Sequence, residues 1–123
     1  MDSYSLRLLR LRLKHNLHTD RAILTKAGLA PLCPVCEKPV YGSGDMHENI
    51  VTKRNVQGAS IDTVAMIFVP ENCVIVHTGE CHQLAQGPAR EKVTKFLIAH
   101  EGRDKILQWL EKINESVNTT FTL

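Results

Sequence analysis

Aromatic side chains are scarce: three Phe, two Tyr and one Trp make up 5% of the 123 residues. Stacking of bases on aromatic rings is therefore not an obvious route to nucleic-acid binding. Long apolar runs are missing too. The longest clean one, Val64 to Val69, is far too short to span a bilayer. Arginines interrupt the leucines of the N-terminal segment, so no secretory signal is read there. Charge of one sign is weak, with a net value of only +2, which describes a modest basic arm rather than a strongly basic protein. No repeat or low-complexity segment is present. These absences predict an intracellular, cytoplasmic chain with no membrane partner, folded as a single domain over residues 1–123.

Cysteine is limited to four residues, and in a reducing compartment four thiols favour metal ligation over disulfides. Two of them form Cys33-Pro34-Val35-Cys36. A Cys-x-x-Cys whose prolyl interior forces a tight turn is a good half-site for tetrahedral zinc. The other half must come from Cys73, His77, Cys81 or His82. His77 and Cys81 flank Thr78-Gly79-Glu80, a turn with Gly at its tip, so both can point at one ion. The neighbours Cys81 and His82 project differently and rarely serve the same ion. The favoured structural zinc set is Cys33, Cys36, His77 and Cys81. Cys73 is the alternative in the place of His77, or else a small buried hydrophobe.

The helical pattern is clear at both ends. Leu6, Leu9, Leu13 and Leu17 recur at near-helical spacing beside a stripe of Arg7, Arg10 and Lys14, predicting a helix over about 3–15. A second short helix is expected from Thr19 or Asp20, stopped by Gly28. Strands are expected at Asp45 to Val51, Val64 to Val69 and Cys73 to Val76, with a loop over Lys53 to Ser60. A helix should follow at His82 to Gln86. Another should open at Gly87-Pro88 with a buried stripe of Val93, Phe96, Leu97 and His100. The last should carry Ile106, Leu107, Trp109, Leu110 and Ile113, before a fraying tail from Asn114. This gives an α+β fold with a core over 33–86 and helical flanks over 3–28 and 88–116. The exposed leucines could support a dimer.

Two knuckles, the central segment Asp45-Met46-His47-Glu48, and Asn72 followed ten residues later by His82 together resemble the HNH endonucleases of the ββα-metal (His-Me finger) group, in particular small phage-type members. The resemblance covers roughly Cys33 to Gln86. It implies a ββα-metal finger stapled by a zinc knuckle, acting on DNA with a catalytic Mg²⁺ or Mn²⁺, in a cellular setting that includes the host cell of a phage. His82 would bind the catalytic ion and Asn72 would brace the loop that presents the other half-site. The segment Asp45 to Glu48 departs from the family's tandem His-His or Asp-His, and two registers stay open. In one, His47 is the general base and Asp45 the ligand two residues back on the same strand face. In the other, His47 is the ligand and Glu48 the base. A His base suits neutral pH without tuning, whereas adjacency to the family's pair favours the second register. Gln86 stands where some members place a further His ligand, which favours a hard ion with water filling its shell.

Hydrolysis of a phosphodiester needs a base to generate hydroxide in place, and a cation to absorb charge on the pentavalent state and the leaving oxygen. Lys53 and Arg54 could clamp the flanking phosphate. Arg7, Arg10 and Lys14 could meet the DNA backbone or form a solvated helix face. Two rival readings fit the same residues. One is a non-catalytic zinc-ribbon module binding DNA or protein. The other is a degenerate HNH fold in a packaging or regulatory complex.

Overall fold

Asp2 begins the first helix: its carboxylate accepts the Ser5 N–H at 2.7 Å, satisfying one of the orphan donors of a helix start. In the computed structural model, which describes all 123 residues, this helix α1 runs from Ser3 to Asp20. Leu13 and Leu17 are buried, with Leu6 and Leu9 packed at the margin of the core. Arg21 closes the helix through an N–H to Leu17 O.

The short helix expected next is instead a hairpin, β1 (Ala22–Thr25) and β2 (Gly28–Pro31), paired in antiparallel register with Leu24 opposite Leu29. Local turn chemistry decides the outcome. Thr25 Oγ1 accepts from Ala27 N at 3.1 Å and donates to Gly28 O at 2.6 Å. Gly28 adopts φ 109°, a backbone conformation that disfavours other residues. The helical flank thus ends at Asp20, not 28.

β3 (Asp45–Glu48) pairs antiparallel with β4 (Cys73–Val76), so that Asp45 faces Val76, His47 faces Val74 and Glu48 faces Cys73. All four residues of β4 are buried, because α1 and α4 both pack against it. Between β3 and β4 the chain makes a long excursion. It contains a 3₁₀ turn at Arg54–Val56 and the short helix α2 (Ile61–Ala65). The strand expected over Val64 to Val69 does not form. Ser60 accepts the Thr63 N–H and starts a helix there, and this cap outweighs the β-branched composition that follows.

Helix α3 (Glu80–Ala85) follows β4 directly, Gly87-Pro88 lie in a turn, and α4 begins only at Arg90, running to Glu101. Within α4, Val93 and Leu97 are fully buried and Phe96 half-buried, but His100 is exposed, contrary to its expected place in the stripe. Helix α5 (Arg103–Val117) buries Ile106, Trp109, Leu110 and Ile113, while Leu107 is exposed. The Trp109 indole N–H donates to Met66 O at 2.8 Å. The polar tail is also better held than its composition suggests. Asn114 accepts the Phe121 N–H and donates to Phe121 O, folding the last residues back on α5.

One connected core runs from Leu13 to Ile113. Arg21 is its one buried cation, donating to Cys73 O and Pro70 O and lying 3.3 Å from the Glu101 carboxylate. It joins the end of α1 to β4 and to the end of α4. The result is a mixed α+β fold of five helices and two small antiparallel sheets. No helix is long and apolar enough to cross a membrane.

Candidate functional site

The knuckle Cys33 to Lys38 closes on itself through Glu37 N–H to Cys33 O and Cys33 N–H to Lys38 O. Glu37 takes the left-handed conformation at φ 62°, so the chain turns sharply enough to aim both thiols one way. The second half comes from the end of β4 and the start of α3. His77 Nε2 donates to Pro39 O at 3.0 Å, which turns the Nδ1 lone pair toward Cys36 Sγ, 3.3 Å away. A backbone acceptor of this kind fixes the tautomer of a metal-ligating His.

The ligand atoms of Cys33, Cys36, His77 and Cys81 all lie within 4.8 Å of one another. Tetrahedral zinc sets such atoms about 3.3–3.8 Å apart, so a small contraction would complete the shell. Three thiols and one imidazole are zinc's preferred donors, and this cluster could hold a structural zinc ion. The electrostatics agree. Burial works against a thiolate at Cys33, but the N–H groups of Cys36, His77 and Val35 and the His77 ring outweigh it and bring the thiol to about 7. Cys81 is pushed up to about 12 by burial and then by the neighbouring Cys36 and Cys33. A divalent cation would relieve that crowding of anionic sulfur. Cys73 stands outside the cluster. It is fully buried, its thiol faces Ile67 O at 3.4 Å, and burial raises it far from the thiolate form.

The second constellation lies on the other side of the Cys81–His82 peptide. His82 Nδ1 is 2.9 Å from Asp45 Oδ2, and Thr78 donates to Asp45 Oδ1 at 3.1 Å. The His82 hydrogen bond is the main reason that the Asp45 carboxyl is held below its ordinary value. Asp45 and His47 share one face of β3 by the two-residue period of a strand; the strand ends at Glu48, short of the expected Val51, and Asn49 follows it. His47 is buried and its ring meets the His82 ring edge-on, with centroids 5.5 Å apart. Burial lowers the His47 pKa, the charges of His82 and Arg90 add to that, and a hydrogen bond to Asn49 opposes it. The imidazole is thus held toward its neutral form. Glu48 belongs to the alternate face with Met46, stands opposite Cys73, and makes no side-chain hydrogen bond. Gln86 is exposed at the end of α3 and bonds to nothing through its side chain.

Asn72 is fully buried and uses its whole amide. Its oxygen accepts from Ile50 N at 2.8 Å and Val51 N at 3.0 Å, and its nitrogen donates to Val51 O and Ile67 O. The side chain thereby holds the segment that leaves β3 against the start of β4.

A cleft of ≈ 400 Å³ opens over the Asp45–His82 pair, and its other wall is Arg7, Arg10, Leu11 and Lys14 of α1. None of these three cations is ion-paired. Lys14 donates to Ser43 Oγ and Gly44 O, and Arg10 lies over the Phe68 ring. Lys14 thus pins the turn that delivers Asp45. Gly44 is required in that turn. Its φ is +60°, and a Cβ there would come within 2.8 Å of Val76 O. Lys53 and Arg54 are exposed on the excursion and do not line this cleft.

Three residues that matter are not singled out by the sequence: Asn49, Thr94 and Arg21. Asn49 carried a usable signal, standing two residues beyond His47 in the sequence. Thr94 and Arg21 carried none, since their partners lie 45 and 52 residues away. No protein-family model matches the chain, and no curated protein or solved structure matches it either.

Proposed function

We propose that this chain is a metal-dependent endonuclease of the HNH type, a zinc-stapled ββα-metal finger that hydrolyses DNA phosphodiesters. The observation that carries the reading is the Asp45–His82 pair, 2.9 Å apart on one wall of a cleft whose other wall is unpaired cation. Adjacent ligands of an octahedral Mg²⁺ or Mn²⁺ are separated by about 3 Å, so the two side chains suit neighbouring positions of one ion. Two protein ligands leave the remaining positions to water and phosphate oxygens, which such chemistry requires. The buried, neutral His47 adjoins His82 and suits the base. The order β3, β4, α3, with His82 in the first turn of α3, is the order that a ββα finger requires, and the Cys₃His cluster would supply its staple. Arg7, Arg10 and Lys14 would hold the backbone of the duplex.

The geometry of β3 favours His47 over Glu48 as base, because Glu48 lies on the alternate face. One observation favours a second reading, a finger that retains binding without cleavage. The Cys₃His set is the only cluster of three or more metal-ligating groups, and Gln86 adds nothing to the Asp45–His82 pair.

Incubation of supercoiled plasmid with the zinc-loaded protein and Mg²⁺ or Mn²⁺ separates the two. Conversion to open-circle or linear DNA by the wild type, and its loss in His47→Ala and His82→Ala with the fold retained, is the expected result. Binding without cleavage in every divalent ion tried would select the second reading.

A further inference from the structure

The hydrogen bonds around His47 can be followed outward to a fixed acceptor at the start of α4. The Arg90 carbonyl can only accept. Thr94 Oγ1 lies 3.1 Å from it and donates, which leaves the Thr94 oxygen as an acceptor. The Asn49 amide nitrogen sits 2.8 Å from that oxygen and 3.4 Å from the Arg90 carbonyl. The reverse amide orientation would set its oxygen against the carbonyl with no proton between them. Asn49 Oδ1 therefore faces the ring, 3.1 Å from His47 Nε2, and as a carbonyl oxygen it can only accept. In that arrangement Nε2 carries the proton and Nδ1 the lone pair. Nδ1 has no hydrogen-bond partner, yet Arg21 Nε is the only buried side-chain nitrogen or oxygen left without one. Nδ1 must therefore reach solvent, although His47 as a whole is only 4% exposed.

We propose that Asn49 and Thr94 are positioning residues: a relay from helix α4 locks His47 as the Nε2–H tautomer and presents Nδ1 as the accepting nitrogen. The lock itself stands apart from the proposed activity; the use of Nδ1 as a base rests on the nuclease reading. In that use, a water molecule gives one proton to Nδ1 while its oxygen forms the new bond to phosphorus. The P–O3′ bond breaks, its electron pair stays on the leaving oxygen, and solvent returns a proton there. A His base held in the wrong tautomer loses orders of magnitude in rate with its geometry intact, so a two-residue relay is a sufficient reason for burying polar groups beside the site.

The test is a long-range ¹H–¹⁵N correlation on zinc-loaded protein labelled at histidine nitrogens, with cleavage kinetics on the same samples. The wild type should show His47 protonated on Nε2 alone. Thr94→Val should admit the Nδ1–H form and lower kcat by roughly 10- to 100-fold, the range for partners that orient a functional His, at unchanged KM. Thr94→Ser, which keeps the hydroxyl, should restore both. A wild-type His47 protonated on Nδ1 would overturn the relay whatever the cleavage result, and needs no variant to be seen. An Nε2–H tautomer in a wild type that cleaves nothing would leave the lock standing, and overturn the base role together with the nuclease reading. Unchanged kcat in a Thr94→Val protein whose tautomer has shifted would overturn the base role alone.

Discussion

Cys81 and His82 are consecutive, yet each serves a different constellation: Cys81 joins the thiols of Cys33 and Cys36, and His82 meets Asp45 at 2.9 Å. Helix α3, which carries both, has six residues and no side-chain cap at its start. A helix that short has little stability of its own. An ion bound at Cys81 would therefore fix the first turn of α3 and the direction of His82 at the same time.

Metal content tests the staple. The purified protein should hold one equivalent of zinc. Cys36→Ser and Cys81→Ser should each lose it and unfold, since structural zinc contributes folding energy directly. Cys73→Ala should retain a full equivalent, because that thiol faces Ile67 O and not the cluster. Zinc loss in Cys73→Ala with the other ligands intact would assign the site wrongly.

Asn72→Ala should be among the most damaging substitutions in the chain. It removes four hydrogen bonds and leaves buried backbone groups unpaired. At about 1 kcal/mol per bond, rising where a buried group is left unsatisfied, the loss should reach about 3–5 kcal/mol. Urea unfolding of the zinc-loaded variant measures it, and a loss below about 1 kcal/mol would refute the bracing role.

The pH response of the Arg21–Glu101 contact follows from its sign. Burial works to raise the Glu101 carboxyl, but hydrogen bonds from Lys105 and Arg21 outweigh it and the net shift is downward. A carboxyl depressed on folding binds fewer protons in the folded state than in the unfolded one. Its stabilisation is therefore complete above the unfolded value, about 4.3, and is lost as pH falls through the lower folded value. The Tm gap between wild type and Glu101→Gln should be widest near neutral pH and shrink below about pH 4. A gap that widens on acidification would contradict the assignment.

If the α1 stripe meets a duplex, affinity will depend steeply on salt. Arg7→Ala and Arg10→Ala should each weaken binding about equally for unrelated sequences and lower the slope of log K against log salt by about 0.9. The same change at Lys53 and Arg54, which lie outside the cleft, should have less effect. Equal effects at all four positions would detach the cleft from DNA binding.

The Cys₃His cluster was legible in the sequence because its side chains sit in two local turns: Cys-x-x-Cys with its proline, and a Gly-tipped link from His77 to Cys81. Strand β4 was legible for a similar reason, being short, apolar and β-branched. The hairpin after α1 was not. Gly28 reads equally well as a helix stop or a turn, and the choice rests on the Thr25 side chain bonding its own loop. The segment Val64 to Val69 misled in the other direction, since one Ser60 cap outweighed six apolar residues. The cleft was hardest to foresee. Arg7 and Arg10 line the same cleft as Asp45 only because α1 packs against β4, and nothing local in either segment encodes that juxtaposition.

The excursion between the paired strands departs at Ile50 and returns at Asn72, and a single amide closes it at both ends. Its second half is tied to the core through Ile67, Phe68 and the Trp109 bond to Met66, whereas Gln57 and Gly58 are exposed. The paired strands thus behave as a frame with an exchangeable insert. New residues could be spliced in at Gln57-Gly58 while β3, β4 and their facing side chains keep their places. A lineage, or an engineer, could vary what this molecule touches there without renegotiating how it folds.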